Sequence, residues 1–442
     1  MTTKIQQPAS SSTSYFSFPR TLRLSSFQIG SAMGEILTAS IWNRVMISDL
    51  GMPATPVGLL LALQYILIPI SIWAGHRSDT VKLWGRRRSS YIWLGRGIML
   101  FAFPLLGVSI GRIEANQLVS GWAIATIAFL LFGAGKLLSG SVFLALVRES
   151  APPEKRGLAI SITETVLITM FPIVAIGFGR WMETYDPATF WQMIIGTTAS
   201  AAFFWWFAVV RVENQVEQVA QPVQSAKTNL RQTMNAVWGD ASTRQFFIFL
   251  ALATFAAWMQ DNIMEPFGGD VFNLPAGETT RFTGYWAGTT VVVLLILFRV
   301  RRNQPPESQG PIASLGLLIM SIGMILLGIV SFASLERLLT LALVVFGGGF
   351  GLYTFGGLSL MAVMSPSKTA GTYLGLWTIC ILVSKGLGTF FGGALLDIFS
   401  ALTGSPPLTY GLIFVIAAAG LGFAAQLVRQ INFPQFASLH NQ

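Results

Sequence analysis

Apolar runs long enough to cross a bilayer recur from one end of this 442-residue chain to the other. A helix rises about 1.5 Å per residue, so a hydrocarbon layer about 30 Å thick demands about 20 mostly apolar residues per crossing. Such runs fall at roughly 24–50, 56–75, 90–111, 120–148, 157–180 and 190–210. After a hydrophilic stretch, 211–243, they resume at roughly 244–266, 281–299, 311–333, 338–363, 370–398 and 408–429. Inside lipid every backbone N–H and C=O must be satisfied within its own element, which favours helices. The pattern therefore predicts an all-α polytopic membrane protein with about twelve transmembrane helices in two pseudo-symmetric six-helix bundles. The expected organisation is an N-terminal tail (1–23), a first bundle (24–210), a linker (211–243), a second bundle (244–429) and a C-terminal tail (430–442).

Charge gives the orientation. Of the 28 Lys and Arg, about 20 fall in the tails and in the loops that are cytoplasmic if the N-terminus is inside. These include Lys82, Arg86, Arg87, Arg88, Arg299, Arg301 and Arg302. About four (Arg112, Arg180, Arg281, Arg337) fall outside, and about four (Arg44, Arg96, Lys136, Lys385) lie within spans. The positive-inside rule thus places both termini in the cytoplasm. It also accounts for the net charge of +9 without any nucleic-acid partner. Both tails are polar and read as disordered, and the N-terminal one lacks the layout of a cleaved signal peptide. A single cysteine, Cys380, excludes an intramolecular disulfide.

The halves echo each other. Span five is entered through SAPPEKRGLAIS and span eleven through MSPSKTAGTYLG, so Pro152–Gly157 and Pro366–Gly371 share one spacing. Span one ends IWNRVMISDLGMP and span seven ends WMQDNIMEPFGG, which aligns Arg44 with Asp261. Internal repeats of this weak kind are usual in transporter folds.

Between spans two and three lies GHRSDTVKLWGRRRS, residues 75–89. Gly75 permits a tight turn. Asp79 can accept hydrogen bonds from a helix N-terminus or a neighbouring Arg, and Arg86, Arg87 and Arg88 hold the loop at an anionic leaflet. Together with twelve spans, a central linker and the span-four exit VRESAPPEKRG, this loop resembles the cytoplasmic gating motif of the major facilitator superfamily. Its Asp-to-Gly interval is longer than usual. SIWNRVMISDLGMPATPVG (40–58), SIWAGHRSD (71–79), GRRRSSYIWLG (85–95), ALVRESAPPEKRG (145–157) and MQDNIMEPFGGDVF (259–272) narrow the likeness. They resemble the PucC/LhaA, or bacteriochlorophyll-delivery, branch of that superfamily over nearly the whole chain apart from the tails and linker. That resemblance implies delivery of chlorophyll or bacteriochlorophyll, as cargo, to light-harvesting or other chlorophyll-binding polypeptides. Chlorophyll-synthesis enzymes are further implied partners beside the membrane lipids. The implied location is a bacterial inner, thylakoid or intracytoplasmic photosynthetic membrane.

Ionisable groups within spans are costly unless paired or hydrated, so each is a functional candidate. By analogy with the superfamily fold, spans one, four, seven and ten line a central cavity. Glu35, Arg44, Lys136, Asp261 and Glu265 then belong to cavity helices and are the candidates for pigment binding or coupling. Asp261 and Glu265 stand four apart, on one face of an unbroken helix. Pro266 and the Gly268–Gly269 pair would end that helix. Arg44 and Asp261 should sit at similar depth, either as an interhelical ion pair or as separate contacts to cargo. Either acid could instead ligate a chlorophyll magnesium, a hard cation suited to oxygen donors, or carry a coupling proton. Glu35, with no evident partner, is the leading protonatable group. Arg96 and Glu164 read as packing residues.

Histidine is scarce: His76 sits in the loop motif, near Asp79, and His440 in the tail. No imidazole within a span is on hand for magnesium. The glycines of GGGFGLYTFGG suit close helix packing, and the aromatics of IWN, FFWWF and YWAG suit interfacial belts. No nucleophile elbow, zinc-protease motif or phosphate-binding loop occurs, which argues against an enzyme. Two other readings stay open: a proton-coupled secondary transporter of a small solute, and a non-transporting antenna-assembly scaffold.

Overall fold

A computed structural model describes residues 16–152, 155–213, 239–301, 304–365 and 370–440. Outside them lie most of both the expected N-terminal tail and the linker, and Pro366–Thr369 of the repeat motif. Regular structure among the described residues is helical, apart from a single bridge between Leu83 and Arg86.

The chain enters through α1 (Phe18–Ser25) and α2 (Phe27–Ile36), which continue into π-helical stretches at Leu37–Trp42 and Val45–Asp49. Then follow α3 (Ala54–Ile66), α4 (Ile68–Thr80), α5 (Ser89–Glu114), α6 (Leu118–Glu149), α7 (Arg156–Trp181) and α8 (Pro187–Val209). The later part holds α9 (Ala241–Trp258), α10 (Met264–Phe272), α11 (Ala276–Arg301), α12 (Gly310–Phe332) and α13 (Leu339–Val363). It ends with α14 (Ala370–Thr403), α15 (Pro406–Arg429) and α16 (Phe433–His440). We call the end of the bundle where α1 begins the tail side, and the other end the far side.

Ten stretches among the described residues are long and apolar enough to cross a membrane. The first and seventh expected spans are not among them. Span one is part π-helical, and span seven breaks after Trp258 into α9 and α10. α5 packs along α6 and α8, and α2 lies against α7 and α8. Later in the chain α12 packs along α13 and α15, and α9 against α14 and α15. The two groups meet chiefly along two seams, α3 on α14 and α7 on α11.

Several expectations need correction. Gly75 makes no turn, because α4 runs on to Thr80. The turn-forming pair is Trp84–Gly85, with φ of 49° and 77°. Positive φ at both central residues lets Leu83 and Arg86 exchange backbone hydrogen bonds of 2.9 and 3.0 Å, as a hairpin turn requires. Trp42 and Trp205 do not lie at an interface but are fully buried. The C-terminal tail is not polar coil throughout. α16 turns back, burying Phe433 and Phe436, with the Phe433 ring 6.1 Å from that of Phe246.

The gating-motif residues form a tail-side network. Arg88 donates to Asp79 at 2.5 Å, to Glu149 at 2.5 Å and to Ser78 Oγ at 2.7 Å. Arg87 approaches Glu149 at 3.7 Å, and the Arg86 guanidinium lies 5.0 Å from the Trp93 ring centre. Glu213, just past α8, accepts from the backbone N–H groups of Arg87, Arg88 and Ser89 at 2.5, 3.0 and 2.7 Å. It thereby answers orphan donors at the start of α5, where the helix dipole favours an anion. Burial pushes the Glu213 carboxyl up, but these N–H donors outweigh it and hold the group below the ordinary Glu range.

A group with a depressed folded value stabilises the fold above its unfolded value, about pH 4.3, and loses that contribution as pH falls through the folded value. Glu213→Gln is therefore expected to lower the melting midpoint in detergent at pH 7, by a change on the order of 1–3 kcal/mol. The gap to wild type should begin to close as the pH falls below the unfolded value of about 4.3. A gap that is absent at pH 7, or constant down to pH 3, would refute the charged cap.

Candidate functional site

The break in span seven builds the site. Pro266 has no N–H to donate to the Asn262 carbonyl one turn earlier, so a helix running through both would leave that oxygen unpaired. The Asn43 amide of span one takes the vacant place, donating to the Asn262 carbonyl at 2.8 Å. Pro266 thus sits in the first turn of α10, where proline is tolerated, and does not end the helix. Gly268 and Gly269 lie inside α10, which stops at Phe272 with Asn273 left-handed at φ 57°. Asp261 falls in the break and Glu265 in the first turn of α10. The continuous helical face expected for them does not exist, yet both acids reach the same cavity.

That cavity, about 250 Å³, lies between the two groups of helices. Its walls come from span one (Glu35, Ser40), α3 (Gln64, Tyr65), α7, the α9–α10 break, α11, α13 and α14 (Lys385, Thr389). Span four contributes no wall residue. Trp258, Trp286 and Phe350 form an aromatic cluster on one side, with ring centres 5.5 to 6.4 Å apart.

Charges are paired locally. Glu35, expected to lack a partner, accepts from Lys136 Nζ at 2.5 Å, and Lys136 also donates to Gln64 Oε1 at 3.0 Å. Lys136 is not itself a wall residue but is bonded to these two, which are. Asp261 accepts from Thr389 Oγ1 at 3.3 Å and lies within electrostatic reach of Lys385. The Lys385 ammonium sits 3.3 Å from the Trp258 ring centre. Glu265, 2% exposed, accepts from Thr283 Oγ1 at 2.8 Å and has the Ser40 hydroxyl within reach. Three wall carboxylates thus face two ammonium groups, leaving one surplus negative charge at Glu265 when all are ionised.

Arg44 is elsewhere. It does not pair with Asp261 and lines no part of the cavity. It forms an ion pair with Asp49 at 3.2 Å, donates to the Leu274 carbonyl at 3.2 Å, and lies against Gly269 on the far side. A methyl on Gly269 would approach the guanidinium to 2.5 Å. Nearby, Asp397 of α14 accepts from the backbone N–H groups of Ala54 and Thr55 at 2.9 and 2.7 Å, capping α3 across the seam. Arg96 fits its packing role, its guanidinium 4.3 and 4.6 Å from the ring centres of Phe27 and Trp205. Glu164 accepts from Gln28 at 3.4 Å.

The site residues that sequence reasoning missed are Gln64 and Tyr65 of α3, Lys385 and Thr389 of α14, Thr283 of α11 and the aromatic cluster. Only Lys385 carried a signal, a charge inside an apolar run. Uncharged hydroxyls and aromatics blend into any span.

A family described as PUCC protein matches residues 41–436. The chain is 30% identical to "Protein PucC" of Cereibacter sphaeroides, covering 90% of this chain and 89% of that protein. It is 28% identical to "Protein PucC" of Rhodobacter capsulatus, covering 93% and 92%. It is 27% identical to the "Bacteriochlorophyll synthase 44.5 kDa chain" of Rhodobacter capsulatus, covering 86% and 87%. Among solved structures, a point mutant of the nucleoside transporter NupG superposes with TM-score 0.69 at 12% identity, covering 92% of this chain and 99% of that one. The D-xylose-proton symporter gives 0.65 at 14%, covering 92% and 97%. At such identities the likeness concerns the fold alone, and the fold is that of the major facilitator transporters.

The ion pairs make a direct prediction. In a double-mutant cycle, Glu35→Gln and Lys136→Met should couple by about 0.5–3 kcal/mol in thermal stability, whereas Arg44→Ala and Asp261→Asn should add. Additive effects at Glu35 and Lys136 would contradict the pairing.

Proposed function

The chain belongs to the PUCC protein family and has the major facilitator fold, and from that premise we propose that it is a membrane carrier and assembly factor that hands chlorophyll or bacteriochlorophyll to light-harvesting or other chlorophyll-binding polypeptides. The observation that carries the reading is the family match along 41–436, which spans both groups of helices. A relative named for bacteriochlorophyll supports it. The reading is of a carrier, not an enzyme, working in a bacterial inner or photosynthetic membrane. The tail side is cytoplasmic on this reading, as the distribution of Lys and Arg supports, and chlorophyll-synthesis enzymes are candidate donors. The domains run 24–210 and 244–429, joined by the 211–243 linker.

The cavity chemistry fits such a cargo. An aromatic cluster offers a stacking surface for a flat macrocycle. A magnesium chlorin presents a hard Lewis acid, and among the described residues the charged oxygen donors in the walls are Glu35, Asp261 and Glu265. Of these Glu265 has no cationic partner among the described residues, so we assign it the polar contact and Asp261 a supporting role. A whole tetrapyrrole exceeds about 250 Å³, so loading requires the halves to part. That same size favours a second reading, a proton-coupled transporter of a small solute, since such sites start at about 300 Å³.

Protein isolated from a pigment-producing host in mild detergent is expected to carry extractable chlorin with an absorption band in the red. Glu265→Gln should retain about tenfold less, equivalent to 1.4 kcal/mol, while inserting normally. Pigment-free protein that takes up a soluble compound under a proton gradient would establish the second reading.

A further inference from the structure

The two seams occupy equivalent places in the fold but are packed differently. At the far side both are shut by glycine against backbone. A methyl on Gly393 would lie 2.5 Å from the Ala54 carbonyl on the α3–α14 seam. Methyls on Gly179 and Gly277 would collide with each other's carbonyls on the α7–α11 seam. Towards the tail side the seams part ways. On α3–α14, a methyl on Gly58 would be 3.1 Å from the Thr389 carbonyl, and one on Gly386 would be 2.7 Å from the Tyr65 ring. On α7–α11, Gly284 still meets Ile176 at 2.8 Å, but one turn on Gly288 meets only Pro172 Cβ, at 3.7 Å. One seam is plugged by Tyr65 and the other loosens with depth.

Immediately beyond that loose point, Ile168 and Phe171 of α7 and Thr290 and Leu294 of α11 are themselves cavity walls. α7 and α11 are also the least covered of the ten spans, with 22% of each apolar window buried against 33–50% elsewhere. Along α11 the residues facing the cavity are graded. Thr283, bonded to Glu265, comes first, then Trp286, Thr290 and finally Leu294 towards the tail side. The closed end is polar, the middle aromatic, and the loose end, lined by Thr290 and Leu294 with Ile168 and Phe171 opposite, largely apolar.

We propose that the α7–α11 seam is a lateral portal by which the cavity takes up a bilayer-dissolved amphiphile. Its hydrogen-bond-donating or Lewis-acidic head meets Glu265, and its flat apolar body lies along Trp286 and Phe350. This rests on the pigment reading, since a magnesium chlorin is such a molecule. A phospholipid is amphipathic too, but its phosphate diester offers neither a donor proton nor a Lewis-acidic centre to Glu265.

The Gly288–Pro172 distance allows a test, because 3.7 Å between Cβ positions falls in the disulfide range of about 3.5–4.5 Å. In a Cys380→Ser background, the Pro172→Cys/Gly288→Cys protein would be reconstituted in nanodiscs with zinc pheophorbide as the probe. Reduced protein should load the zinc chlorin at the rate of its parent. Oxidised protein should load at least tenfold more slowly, and dithiothreitol should restore the rate. Gly288→Phe, which plugs the seam without tying the helices together, should slow loading alike. Equal rates in reduced, oxidised and plugged proteins would overturn the portal while the pigment reading stands. Failure of the disulfide to form would contradict the seam geometry and overturn it too. A parent that binds no zinc chlorin would remove the pigment reading, and the portal with it. Saturable capture of a head-group-labelled phospholipid in place of the chlorin would overturn the assigned ligand class.

Discussion

One missing hydrogen bond organises the centre of this protein. Pro266 cannot donate to Asn262, and a bare carbonyl at membrane depth costs several kcal/mol. Asn43 of span one answers it, tying the first span to the seventh at the break. The chain leaves helical geometry there, yet Asp261 in the break and Glu265 in the first turn of α10 still address one cavity. Span one departs from α-helical geometry at the matching depth, and its π-helical stretch supplies Ser40 to the same walls. Irregular backbone at this depth is tolerated where it lines a cavity, and it concentrates at binding sites.

Low dielectric then decides which charges survive. Glu35 and Lys136 neutralise each other, Asp261 has Lys385 at hand, and the Lys385 ammonium is further held by the Trp258 ring. Glu265 stands apart, supported by the Thr283 hydroxyl and by its place in the first turn of α10, whose dipole favours an anion. A carboxyl group with no cationic partner keeps its oxygens available to a ligand. Arg44 serves another purpose, joining Asp49, the Leu274 carbonyl and the neighbouring Asp397 cap in closing the far side.

The fold was largely legible in the sequence because its cause is one-dimensional: a run of apolar residues must be as long as the bilayer is thick. Most helix limits therefore fall within a few residues of the apolar runs. The site was legible only in part. Charges inside apolar runs announced Glu35, Lys136, Asp261 and Glu265, but their partners depend on which helices adjoin, which spacing along one chain does not encode. The Arg44–Asp261 alignment followed from the repeat, but the contact it suggested does not form, since Asp49 lies closer along the same segment. Pro266 was read as a helix terminator when it starts a helix. Proline forbids the hydrogen bond one turn before it, so the break lies upstream. Gly75 misled for a similar reason, because a glycine is only permission to turn, and Trp84–Gly85 took the turn.

On the proposed pigment reading, a chlorin binds between the halves with its metal side on Glu265 and its ring against the aromatic cluster. A density map of the intact protein loaded with zinc pheophorbide tests it most directly. Binding there predicts macrocycle density bounded by Trp258, Trp286 and Phe350, with the metal within coordination distance of the Glu265 carboxylate. Chlorin density confined to the outer, lipid-facing surface, with the cavity collapsed around its own side chains, would contradict it.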